Sequence, residues 1–125
     1  MVYPMKQFVT ALVLSLIATS ATAQETLTQR TNFLKAVTGH ILEIRLLRVQ
    51  LEVSDSGTLT GKAFGRGVTG TWEWKDGFFC RSMTWGDREL AYNCQQVATD
   101  GTSLIFTSDK GSGRSAKFAL RPATP

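Results

Sequence analysis

The sequence predicts a mainly β domain: a small antiparallel meander closing into a barrel or roll of about seven or eight strands, with one short N-terminal helix. Three observations predict it. Turn chemistry recurs about every 8 to 12 residues beyond Ser54. The runs between those turns are rich in Thr, Val, Phe, Tyr and Trp, side chains that suit a pleated, half-buried surface. Two cysteines, Cys80 and Cys94, fall in this strand-rich half of a chain that opens like an export signal, so one disulfide is expected to clamp the sheet.

Residues 1–23 carry the parts of a cleavable signal peptide: Lys6 as the positive n-region, an apolar stretch from Phe8 to Ala18, and Ala21-Thr22-Ala23 as the small-x-small cleavage site. A start at Met5 would give a tidier n-region than one at Met1. The apolar stretch is shorter than the roughly 18 to 20 residues that span a bilayer, and no cysteine follows it to carry a lipid anchor. The expectation is a periplasmic or secreted protein with no stable membrane insertion. Cleavage after residue 23 of 125 leaves 102 residues, so residues 24–125 form a single β domain, expected as a monomer.

Phe33 or Leu34 with Val37 gives an apolar pair at helical spacing, and Gly39 suits a helix C-terminus, so a short helix is predicted from Thr31 to Thr38 as a lid or plug. From His40 the period becomes two. Leu42, Ile44 and Leu46 form one apolar set and Leu47, Val49, Leu51 and Val53 the next, with a slip at Leu46-Leu47 that predicts a bulge or sharp strand bend. Turn signals at Ser54-Asp55-Ser56-Gly57, Gly65-Arg66-Gly67, Lys75-Asp76-Gly77, Gly86-Asp87-Arg88, Thr99-Asp100-Gly101 and Asp109-Lys110-Gly111-Ser112-Gly113 then separate strand-like runs, the last being Ala116 to Leu120.

If Cys80 faces Cys94 across neighbouring strands, Ser82 lies opposite Tyr92 and Thr84 opposite Leu90, around a turn centred on Asp87. Phe79, Arg81, Met83 and Trp85 then share the face that the cysteines do not occupy. Closing that 15-residue loop is expected to contribute about 3 kcal/mol.

Charge and motifs exclude more than they assign. Fourteen Lys and Arg oppose ten Asp and Glu for a formal charge of +4, falling to +3 when Lys6 leaves with the signal. The basic residues are scattered, so no nucleic-acid surface is expected. Gly65-Arg66-Gly67-Val68-Thr69-Gly70 matches the dinucleotide-binding pattern, but Thr71-Trp72-Glu73-Trp74 continues it as strand where that chemistry needs a helix N-terminus. The lone histidine, His40, has no partner set for a triad, and nothing selects a catalytic pair among Glu43, Glu52, Glu73, Asp87 and Glu89. Asp109 to Ser115 could shape an anion-binding nest but leads into a strand and reads as a hairpin loop. No catalytic residue, cofactor or metal ligand is predicted.

The tryptophans are the remaining signal. Trp72 and Trp74 share one face and are candidates for the core or for the lining of a ligand cavity. Trp85, with Arg81 and Met83, is the candidate exposed binding surface.

The motifs Asn32-Phe33-Leu34, Val37-Thr38-Gly39, Gly57-Thr58-Leu59-Thr60-Gly61, Gly70-Thr71-Trp72-Glu73-Trp74, Gly77-Phe78-Phe79-Cys80-Arg81, Asn93-Cys94-Gln95 and Phe106 through Gly113 span nearly the whole mature region. In them the chain resembles a group of small exported proteobacterial proteins with a single disulfide. Some of these carry the label dihydrodipicolinate reductase, which the strand following Gly70 does not support. The resemblance implies compartment and disulfide but no activity. The expected function is a non-catalytic binding or interaction module of the cell envelope, its partner an envelope protein or a small ligand. The alternatives are a small barrel carrying an apolar ligand in a cavity lined by Leu47, Val49, Leu51, Trp72 and Trp74, and a small carboxylate-based hydrolase.

Overall fold

Alternating apolar and polar residues beyond His40 build one continuous sheet in the computed structural model, which describes Val13, Ser15 and residues 23–124. The expected signal peptide lies almost wholly outside the described residues. A short strand β1 (Glu25–Leu27) and helix α1 (Arg30–Val37) precede β2 (His40–Ile44), β3 (Val49–Val53), β4 (Thr58–Ala63) and β5 (Arg66–Lys75). Then come β6 (Phe78–Trp85), β7 (Arg88–Thr99), β8 (Ser103–Thr107) and β9 (Ser115–Pro122). Strands β2 to β9 each pair antiparallel with the next, and β2 pairs with β9 through Leu42 opposite Leu120. The meander therefore closes on itself as an eight-stranded barrel, leaving no unpaired edge among those strands. β1 was not anticipated from sequence; it extends the sheet beside Val97–Thr99, beyond the point where β6 leaves β7.

Two expectations are corrected. Residues 40–53 are not one bent strand but a hairpin, because a 3-10 turn at Arg45–Leu47 and a left-handed Arg48 reverse the chain, after which Ile44 pairs with Val49. In the β6–β7 hairpin Cys80 does face Cys94, with the disulfide formed, and Arg81 faces Asn93. Past that point the register moves by one: Met83 faces Leu90 and Thr84 faces Glu89, so β7 carries an extra residue opposite Ser82. Such a bulge turns Leu90 onto the inner face with Met83, and leaves Gly86 and Asp87 as the turn.

Helix α1 has eight residues, too few to hold itself together, and is fixed by what it buries. Phe33 is fully buried, with ring centroids 5.1 Å from Trp74 and Phe79 and 5.4 Å from Trp72. The helix thus plugs the barrel end that carries the β3–β4 and β5–β6 turns. Arg30 donates to the Asp55 carbonyl at 2.8 Å and pins it there, and Gly39 at φ 75° lets the chain leave α1 directly into β2.

The inner face holds Leu42, Leu59, Trp72, Phe79, Val97, Leu104 and Phe106 as core, and the outward positions of β4 and β5 are Thr58, Thr60, Lys62, Thr69, Thr71 and Glu73. Apolar inside and polar outside is the reverse of the pattern of a lipid-embedded barrel. Gly61 and Gly70 allow the tight curvature, since a Cβ at Gly61 would strike the Gln50 carbonyl and one at Gly70 the Ser82 carbonyl. Among the described residues no helix is long and apolar enough to cross a membrane.

Candidate functional site

Opposite the helix the barrel stays open. Its interior there is a cavity of about 270 Å³ whose deep wall is apolar, with Leu42, Leu51, Leu59, Phe79 and Phe106 among its lining residues. The rest of the lining changes in character towards the mouth, where Ser108, Arg114 and Ser115 enter from the β8–β9 connection and the start of β9. Inward positions follow from register: Phe79, Arg81 and Met83 alternate along β6, while Gln95 on β7 lies opposite Phe79. Because the space opens to solvent at its mouth, it is accessible to water or to a ligand.

The predicted binding surface is corrected by this geometry. Arg81 and Met83 are half-buried in the cavity wall rather than presented to a partner. Trp85 sits at the open end, also half-buried: its Nε1 donates to the Ala63 carbonyl at 2.7 Å, Phe64 meets it edge-on at 6.0 Å and the Arg66 guanidinium lies 5.1 Å above the ring. The three share a face as expected, but that face is the inner one. The sequence missed this because a strand face bearing an arginine reads as solvated.

Trp72 and Trp74 are brought together at the plugged end and do not line the cavity. Trp72 is buried, its Nε1 donating to the Ser54 carbonyl at 2.7 Å; Trp74 is half-buried, its Nε1 donating to the Thr28 carbonyl at 3.1 Å. Of the lining expected for a carrier only Leu51 takes part, and Leu47 is exposed on the β2–β3 turn. Phe79, Phe106 and Phe118 were missed as lining residues; their shared parity with Arg81 and Leu104 was the available signal.

Arg81 is the electrostatic centre of the cavity. Its Nη1 donates to the Ala91 carbonyl at 2.7 Å, burial lowers its pKa, and no carboxylate among the described residues forms an ion pair with it. Gln95, buried beside it, donates through Nε2 to the Ser108 hydroxyl at 3.3 Å. At the loop, Asn93 and Asp109 hold each other by two hydrogen bonds, side chain to carboxylate at 2.7 Å and backbone N–H to side chain at 3.0 Å, which fixes the β8–β9 connection against β7.

The other singled-out residues stay apart from this cavity. Gly65 lies in the β4–β5 turn and Gly67 and Gly70 on β5, with no helix following. His40 opens β2 with Nδ1 3.0 Å from the Thr38 carbonyl. Glu43 accepts from Arg121 at 3.0 Å, Glu73 accepts from Tyr92 at 2.9 Å and Asp87 pairs with Arg66 at 2.9 Å, each away from the cavity lining. Among the described residues no group of His, Cys, Asp or Glu is arranged to hold a metal ion. No family model, curated protein or solved structure matches this chain.

Proposed function

We propose that the protein is a small barrel carrier that holds one apolar ligand inside its open end, in a compartment where thiols oxidise. The observation that carries this is the unfilled space in the barrel, walled largely by leucines and phenylalanines. Eight-stranded barrels have interiors that side chains can just fill or that admit one small ligand. Here aromatic packing around Phe33 fills the plugged half and leaves the other half vacant. The disulfide on β6 and β7 supports the periplasm or the cell exterior as the place of work. A partner surface around Trp85 loses support, since Arg81 and Met83 point into the barrel.

Calorimetric titration with 1-octanol tests the reading. One saturable site per barrel is expected, and Val53→Phe, which adds bulk to the cavity wall, should weaken binding at least tenfold while leaving the disulfide intact. Absence of saturable binding up to the solubility limit of the alcohol would sink the carrier.

A further inference from the structure

A cation in the wall of a largely apolar cavity is costly. Desolvating a guanidinium without an opposing charge is among the more expensive arrangements in a folded chain, and arginine does not escape it by losing its proton at neutral pH. Arg81 stands part-way into that position: half-buried, it satisfies one donor on the Ala91 carbonyl, and its other donors face the open cavity without an acceptor among the described residues. The fold invests in keeping it there. The extra residue of β7 falls where Arg81 and Asn93 end the regular register, and Ala91, whose carbonyl takes the guanidinium, belongs to that bulge. Trp72 lies opposite Arg81 in the β5–β6 register. The acid of the neighbouring loop, Asp109, is held by Asn93 and forms no ion pair with Arg81, and two further cations, Lys110 and Arg114, follow it in the same connection.

We propose that Arg81 is the anchor for an anionic amphiphile: a carboxylate on an alkyl chain of about eight to ten carbons, taken head-outward into the barrel. The chain length follows from the cavity of about 270 Å³, room for about nine groups the size of a water molecule at about 30 Å³ each. The planar fork of a guanidinium matches a carboxylate with two parallel hydrogen bonds, and the buried Gln95 supplies a further polar group on the same wall. The leucine and phenylalanine wall takes the chain. This assignment rests on the carrier reading above and sharpens it, because an apolar ligand without charge would leave Arg81 unpaired.

The test compares octanoate with 1-octanol at pH 7.5 on the disulfide-bonded protein, using wild type, Arg81→Met, Arg114→Gln and, as the control, Lys62→Gln on the outward face of β4. Wild type is expected to bind octanoate at least tenfold more tightly than octanol. Arg81→Met, which keeps length but removes charge, is expected to lose at least tenfold for octanoate and to hold octanol within about threefold; Arg114→Gln at the mouth is expected to lose less than Arg81→Met, and Lys62→Gln to change octanoate affinity less than threefold. Equal affinity of wild type for the two probes overturns the proposal, as does loss of the preference in Arg114→Gln with its retention in Arg81→Met. Octanol binding without an octanoate preference leaves the carrier standing and removes the anchor; failure of both probes removes the carrier itself. The wild-type ratio decides the question even if Arg81→Met does not fold.

Discussion

At the scale of single residues, the structure places charge where geometry makes it useful. Asp100 shows this clearly. Its carboxylate accepts the Ser103 hydroxyl at 2.8 Å, with further bonds from the Thr102 and Ser103 backbone N–H groups and the Thr102 hydroxyl, so one side chain organises the β7–β8 turn. The Ser103 hydroxyl first, then the Thr102 backbone N–H, hold its pKa well below the usual carboxylate range. A folded-state value below the unfolded one means that the contribution is full above about pH 4 and is lost as pH falls through the depressed value. Thermal melts between pH 5 and pH 2 should therefore show an acid decline that Asp100→Asn flattens; a variant whose melting temperature falls with acid as steeply as wild type would contradict this. The sequence announced the turn through Thr99-Asp100-Gly101, because Asp before Gly carries its own backbone chemistry. It gave no such notice of Arg81. Whether an arginine on a strand faces solvent or the lumen depends on which face closes inward, and that is decided by strands far away in sequence.

Elements were legible where a local constraint pinned them. The hairpin of β6 and β7 could be set in register from its cysteines, since a disulfide across neighbouring strands admits few alignments, and that register holds from Phe79 to Arg81. It fails at the bulge, whose extra residue carries no glycine or proline to mark it. The β2–β3 connection was missed for a related reason. Arg45-Leu46-Leu47-Arg48 contains none of the usual turn residues, and Arg48 adopts φ 51°, a left-handed conformation that costs a non-glycine residue about 1 to 2 kcal/mol. Tertiary pairing of Ile44 with Val49 and of Val49 with Ala63 outweighs that cost. The disulfide is the element-scale device with the largest expected effect. Replacing Cys80 and Cys94 together by alanine should destabilise the domain by about 3 kcal/mol, read as a lower urea midpoint with little change in slope. A loss below about 0.5 kcal/mol would mean that the barrel ladder alone holds the two strands.

At the scale of the whole molecule, the barrel has two unlike ends, and Phe33 makes the difference. One buried ring, delivered by an eight-residue helix, packs against Trp72, Trp74, Phe79 and Phe106; two of these, Phe79 and Phe106, present their other sides to the cavity. The plug therefore supports the floor of the site as well as the core. Truncating it should cost about 3 to 5 kcal/mol, a large share of the roughly 5 to 15 kcal/mol available to a domain of this size. For a chain of about 100 residues that is a fall in melting temperature of at least about 12 °C. A structural residue remote from the ligand would do no more than this. Phe33→Ala should do something further, because the space vacated behind Phe79 and Phe106 adjoins the cavity: the alcohol bound most tightly should become longer, by about two to four carbons at about 30 Å³ per methylene-sized group. Binding of 1-hexanol through 1-dodecanol to wild type and Phe33→Ala, at a temperature where both are folded, reads that shift. An unchanged optimum in a variant that has lost the expected stability would place the floor of the site on the strands alone and leave the helix a purely structural plug.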